Sequence, residues 1–282
     1  MPSEMALSYR ILMDLGKATL SAIREAIVCL NTVESHLIHA ILLSAPDFLG
    51  LKDSLQVFKR GNLVETLKLR EKIGVCLDLL CGQRVHPRNI VVGGFSKLPS
   101  KNKVLEVIRE IEEQSECIEK AASTLKNFIP RVKRKSSYAA LKGESYGLTS
   151  GEVTVNSEIT IPKKEFRKFF TEETVPYSTS KKSFFMGKPY MVGTLARVNT
   201  NRDKLSSRSQ TLLNEVLRDT STNPYLIPFT QLVESLTLIS TAREKLESAE
   251  FKEKTSINTS GSGVGIGIIE APRGLLYHCY KI

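Results

Sequence analysis

Glu270-Ala271-Pro272-Arg273-Gly274-Leu275-Leu276-Tyr277-His278 stands close to the end of the sequence, directly after Gly261-Ser262-Gly263-Val264-Gly265-Ile266-Gly267. The glycines fall at every second position, and alternate residues of a strand share a face. The spacing predicts a strand with one bare face, approached closely by something bulky or by another backbone. That strand runs straight into Pro272 and Arg273. A guanidinium stays charged at any physiological pH, so a buried Arg273 requires an acidic partner or an anionic ligand. A dinucleotide-binding fingerprint is excluded, because it needs a glycine turn that opens a helix and Pro272 interrupts here.

Upstream of this segment the pattern is mainly helical. Ile23, Ile27, Leu30, Leu37 and Ile41 recur at helical steps and predict a buried helix that Pro46 ends. A second helix is expected over about 62–80, with Leu63, Leu67, Ile73, Leu77 and Leu80 inward, followed by Gly82, Pro87 and Gly93-Gly94. A third starts near Lys101, and its stripe from Val104 through Ile118 to Ile129 stops at Pro130. Residues 131–200 are rich in Ser, Thr, Lys and Tyr, and Glu152-Val153-Thr154-Val155 alternates as strands do. Helical pattern resumes near Leu205 and again over Thr230–Glu247. The expected fold is α+β, mainly α: a helical core with a His-Pro/Gly-Gly turn over 1–130, a small antiparallel β insert over 131–200, and a helical return with the glycine-rich strand over 201–282.

The 282 residues are 41% apolar and 25% charged, which is ordinary for a globular chain with a sizeable core. Apolar runs such as Ile38 to Leu43 fall short of the roughly 20 residues a bilayer requires. No leader pattern opens the chain, so no membrane span and a cytoplasmic location are expected. Cys29, Cys76, Cys81, Cys117 and Cys279 form no Cys-x-x-Cys pair, and an odd, scattered set reads as reduced thiols. The formal charge of +10 is densest at Arg131, Lys133, Arg134 and Lys135. No recognition motif accompanies that cluster, so it reads as a solvated loop or a surface for an acidic partner, with no nucleic-acid role.

Two further constellations can carry chemistry. His36 and His39 lie three apart on one predicted helix face, and with Asp47 they can form a facial metal triad or serve as hydrogen-bonded core residues. Gly82-Gln83-Arg84-Val85-His86-Pro87 followed by Gly93-Gly94 makes a rigid turn that can present His86 at a surface.

Taken in order, these stretches resemble the nickel–iron hydrogenase large subunit family, specifically its cytoplasmic, cofactor-reducing branch. Glu34-Ser35-His36-Leu37-Ile38-His39 through Ala45-Pro46-Asp47-Phe48-Leu49 resembles that family's Ser-His…His…Pro-Asp-Phe-Leu segment. Arg84 to Gly94 is similar to its His-Pro…Gly-Gly turn, and Glu270 to His278 to its Glu-Ala-Pro-Arg-Gly…Tyr-His signature. Ser145-Tyr146-Gly147-Leu148 and Met191 to Asn199 also resemble family segments. The resemblance covers nearly the whole chain in the family's order and implies a long-helix bundle of the hydrogenase large-subunit type.

It further implies reversible dihydrogen oxidation at a nickel–iron centre carrying carbon monoxide and cyanide, with electrons leaving through an iron–sulfur small subunit. Arg273 would hang over the metals and pair with Asp47, Ala271 and Pro272 would pack around the iron's diatomic ligands, and His86 would face the small subunit. The family holds its metals through two Cys-x-x-Cys pairs, one near each terminus, and neither occurs here. No metal ligand, and no cofactor for this chain alone, is therefore expected. The leading reading is the central part of a large subunit, inactive alone, from a split or broken gene whose neighbouring coding sequence, or separate chains made from it, carries the cysteine pairs. A non-catalytic hydrogenase-like or complex-I-like subunit binding an iron–sulfur partner is the alternative, although complex I relatives usually follow Pro-Arg-Gly with glutamate and this chain has Leu275. A basic helical binding protein and an independent metalloenzyme built on His36, His39 and Asp47 complete the set. The isolated chain is expected to expose apolar surface and to dissolve poorly.

Overall fold

The computed structural model describes residues 18–91, 94–251 and 263–281. Helix α1 (Ala18–Leu37) runs into a π-helical turn over Ile38–Ser44 and then into the single turn α2 (Ala45–Phe48). Pro46 does not end the helix as its sequence suggests. The N–H of Ala45 reaches back five residues to the carbonyl of Ala40, and Pro46 falls in the first turn of α2, where its missing donor costs nothing. The stretch Ala22–Phe48 is long and apolar enough to span a bilayer, unlike the short runs seen in sequence, yet 67% of its most apolar window is buried inside the protein. It is a core helix here.

Helix α3 (Gly61–Cys81) matches its expected span and ends at Gly82, whose φ of +73° suits a left-handed cap. The expected third helix is two: α4 (Lys101–Gln114) and α5 (Glu116–Leu125). Between them the Ser115 hydroxyl turns back onto the Glu112 carbonyl at 2.6 Å, a local bond that competes with the helical ladder. The apolar stripe survives the break, since Val104, Ile108, Ile111, Ile118, Ala122 and Leu125 are all buried.

Strands β1 (Ile90–Val91) and β2 (Gly94–Phe95) form a small hairpin after α3. The insert holds β3 (Ser137–Lys142), β4 (Glu152–Val155) and β5 (Ile159–Ile161), then the one-turn helix α6 (Phe166–Phe169), the hairpin β6 (Phe170–Val175) and β7 (Ser178–Phe185), and β8 (Tyr190–Met191). The four-stranded sheet has the order β5-β4-β3-β8 and is antiparallel except where β3 and β8 pair in parallel. Its apolar face builds a second core from Leu141, Val153, Val155, Phe170, Phe185 and Ile268.

The chain then returns through α7 (Thr194–Thr200), α8 (Ser207–Asn214) and α9 (Ile227–Ser248), and closes with the hairpin β9 (Val264–Ala271) and β10 (Gly274–Lys281). Helix α9 lies along α1 at the centre of the bundle, and every residue from Pro228 to Ile239 is buried. A helix buried all round must satisfy its polar side chains internally. That requirement creates the site described below.

The glycine face is open at its outer end, whereas Gly267 farther along the strand is buried. A Cβ built at Gly263 or Gly265 would meet nothing within 4 Å, and Gly261 lies outside the described residues. The basic run Arg131 to Lys135 is exposed and irregular, as its composition suggests. It is tethered through the Pro130 carbonyl, which accepts from Asn223 at 2.8 Å, and through the Arg134 carbonyl, which accepts from Thr222.

Candidate functional site

The residues that organise the site come from α1, α7, α9 and β9. Arg197 on α7 is fully buried and donates from Nε and Nη2 to the two carboxylate oxygens of Glu234 on α9, both at 2.7 Å. Its Nη1 reaches Glu270 on β9 at 3.1 Å and the Ala271 carbonyl at 3.2 Å, and Nη2 lies 3.4 Å from the Pro272 carbonyl. Glu234 also accepts from the Tyr146 hydroxyl and sits 2.6 Å from Nε2 of His36. Glu270 accepts the backbone N–H of Leu141 at 2.7 Å, which joins β9 to β3.

One guanidinium thus serves two carboxylates inside the protein. Burial opposes the charge on Glu234, but the bidentate Arg197 and its hydrogen bonds outweigh it and hold that carboxyl well below the usual range. Glu270 has a single, longer contact with Arg197, so burial prevails and pushes it up to about 7. Burial lowers His36 to about 4 despite its bond to Glu234, so the ring is neutral near pH 7. The network locks the backbone of Ala271 and Pro272 and thereby fixes the turn that carries Arg273.

That turn interlocks with the loop before α7. Gly193 has φ +84°, and a Cβ there would stand 3.0 Å from the Arg273 carbonyl, while one at Gly274 (φ +153°) would stand 2.4 Å from Val192 Cγ2. Gly193→Ala is therefore expected to cost about 1–3 kcal/mol, through an unfavourable φ and a displaced Arg273 backbone. Thermal unfolding checks this, and an unchanged midpoint would show that the loops do not interlock.

Beside the turn lies a cavity of about 490 Å³, lined among others by His39, Asp47, Gln231, Pro272 and Arg273. The π-helical turn swings His39 and Ser44 toward it, a recurrent use of such bulges at functional sites. His39 Nδ1 meets Gln231 Oε1 at 2.7 Å, and burial lowers the His39 pKa. Arg273 and Asp47 line the same cavity but do not pair with each other. Arg273 Nη2 contacts the Ser35 carbonyl at 3.4 Å, and no described carboxylate lies within ion-pair reach of it. Partial burial, and then repulsion from Arg197, lower the Arg273 pKa.

The triad of His36, His39 and Asp47 does not form. His36 is committed to Glu234 and His39 to Gln231, and Asp47 is exposed. No group of three metal-ligating side chains converges among the described residues. His86 is exposed with φ +61°, on the turn after α3 and outside the cavity lining. Arg84 in that turn packs against Gly74 and pairs with Asp78 at 3.2 Å, which fixes how His86 is displayed.

Cys29, Cys76, Cys81 and Cys117 are buried in the helical core, and Cys279 is exposed on β10. Burial pushes the Cys29 and Cys76 thiols up to about 12, so neither offers a thiolate at neutral pH. No cysteine lines the cavity. The described residues therefore do not supply the thiolate donors of a nickel–iron centre.

No protein-family model matches the sequence. The chain is 30% identical over 279 residues to the alpha polypeptide of sulfhydrogenase 1 from Pyrococcus furiosus, covering 93% of this chain and 64% of that protein. It is 28% identical over 271 residues to the alpha polypeptide of sulfhydrogenase 2 from the same organism, covering 92% and 63%. An NAD+-reducing [NiFe]-hydrogenase in the H2-reduced state superposes with a TM-score of 0.76 at 22% identity, over 100% of this chain and 71% of that one. The Ni-Fe-Se hydrogenase from D. vulgaris Hildenborough gives 0.75 at 17% identity, covering 100% and 74%. The fold is thus that of a hydrogenase large subunit. In sequence and in fold, the chain matches the nickel–iron hydrogenase large-subunit family, and it spans about 64% of the length of the curated relative it matches at 30% identity.

Proposed function

We propose that this chain supplies the central frame of a cytoplasmic nickel–iron hydrogenase large subunit. Its share is the wall formed by Asp47, Pro272 and Arg273. The thiolates come from sequence beyond Met1–Ile282 or from separate chains, and electrons pass to an iron–sulfur small subunit. The observation that carries this reading is the convergence of Asp47, His39, Pro272 and Arg273 on one cavity, from segments about 220 residues apart in sequence. The Arg197 network supports it, because it orders the Arg273 turn from within. Exposed Leu43, Leu55 and Phe58 on adjoining turns support partner contact, since such side chains are 62%, 74% and 56% accessible here. His86 is assigned to the partner-facing side on the same reading.

Co-production with polypeptides carrying the two cysteine pairs and with the small subunit tests this by exchange between deuterium gas and water. The complete set is expected to catalyse exchange, and each omission, including this chain alone, to abolish it. Exchange by this chain alone, or none by the complete set with metal in place, would overturn the proposal.

A further inference from the structure

The unpaired guanidinium and the cavity beneath it lead to a ligand class that the hydrogenase reading does not contain. We infer that the cavity, as this chain builds it, binds a monocarboxylate with an apolar body, held between Arg273 and the His39–Gln231 pair. This rests on the same cavity as the proposed function but needs neither metal nor partner.

Arg273 is the first observation. It is exposed on the cavity wall, its one polar contact among the described residues is the Ser35 carbonyl, and Arg197 nearby raises the positive potential around it. A guanidinium in that setting gains most from an anion that can accept two of its N–H groups. Gln231 is the second, independent observation. Its side chain is 1% exposed and lines the cavity, its Oε1 is bonded to His39, and its Nε2 is buried with no partner. A buried amide nitrogen left without a partner costs about 1–3 kcal/mol until something accepts from it. The assignment of the amide does not change the conclusion. If the oxygen and nitrogen were exchanged, His39 Nε2 would carry the proton and become the pair's donor instead. In both arrangements the pair offers a donor beside a cation, in a site whose carboxylate among the described lining residues, Asp47, does not pair with Arg273.

Most of the remaining wall is apolar. Phe48, Phe128, Val192, Tyr225 and Pro228 surround the polar end, and about 490 Å³ accommodates one small ring with its carboxylate. Asp47 lines the same cavity and opposes an anion. Its removal should therefore strengthen binding, whereas removal of Arg273 or the Gln231 amide should weaken it. A purely structural role for these residues gives no such opposite signs.

Calorimetric titration of the full chain with benzoate tests this, with benzamide as the neutral analogue of the same shape. Benzoate is expected to saturate one site and benzamide to bind at least ~10-fold more weakly, the scale of one charge-assisted hydrogen bond. Arg273→Gln and Gln231→Leu should each weaken benzoate by about 10-fold or more, and Asp47→Asn should tighten it a few-fold. Asp47 and Arg273 are both exposed, so those two variants test the opposite signs even if the buried Gln231→Leu change unfolds the chain. Equal binding of benzamide, weaker binding in Asp47→Asn, or no saturation at millimolar benzoate would overturn the inference. Exchange activity of the complete complex is measured separately, so either idea can fail alone.

Discussion

Replacing Arg197 with methionine is expected to cost on the order of 3–5 kcal/mol, the usual penalty for stranding a buried charge partner. Two carboxylates, Glu234 and Glu270, would be left with no accessible surface and no guanidinium. Methionine fills much of the arginine's volume, so the loss would report charge rather than a cavity. Urea denaturation at unchanged m gives the number, and a thermal midpoint lower by roughly 10 °C should accompany it. Adding Glu234→Gln and Glu270→Gln should recover part of the loss, because the stranded charges go with them. A loss under about 1 kcal/mol would mean that the network does not organise the fold around the cavity.

The second large effect is in pH dependence. Glu270 is raised from 4.5 to about 7 in the folded chain, so folding favours its protonated form. Its contribution is fully present below about pH 4.5 and is lost as pH rises through 7. The span amounts to on the order of 3 kcal/mol at ~1.4 kcal/mol per unit. His36 acts in the opposite sense. Its folded value of about 4 lies below the ordinary 6.5, so it favours folding above 6.5 and withdraws that favour as pH falls toward 4. Glu234, held low, likewise loses its contribution only in acid. Glu270→Gln removes this component, which declines with rising pH. Between pH 5 and 8 the variant should therefore gain stability relative to the parent as pH rises, by thermal midpoint. Parallel curves for the two proteins would show Glu270 to be ionised throughout.

Much of this architecture is legible in the sequence because its signals are local. The apolar stripe over 62–80 places α3 to within a residue at each end, and Glu152 to Val155 marks a strand of the insert. Arg273 and Asp47 line one cavity without pairing, whereas the family resemblance implies a pair. What escapes depends on contacts across the chain. The break at Ser115 leaves the apolar stripe intact, so periodicity cannot reveal it. The π-helical turn depends on how Ala45 reaches Ala40, not on composition. The ion network does leave a signal: Glu234 and Arg197 are lone charges within otherwise buried helical runs, and such charges must find each other. Gln231 carries no comparable mark, since an amide in a helix says nothing of its partner until α1 is packed against α9. Alternation of glycines predicts a closely approached bare face, yet Gly263 and Gly265 meet open space and only Gly267 of the described ones is buried.

If this chain frames a nickel–iron site while its thiolates are supplied from elsewhere, nickel content must depend on what accompanies it. Nickel per chain, measured by elemental analysis on anaerobically purified material, tests this most directly. The chain alone should carry well under ~0.1 nickel, because its cysteines are buried in the core or remote from the cavity. The assembly with the cysteine-bearing polypeptides and the small subunit should approach one. Stoichiometric nickel on the chain alone, or a stable assembly that never takes up nickel, would contradict the proposed role.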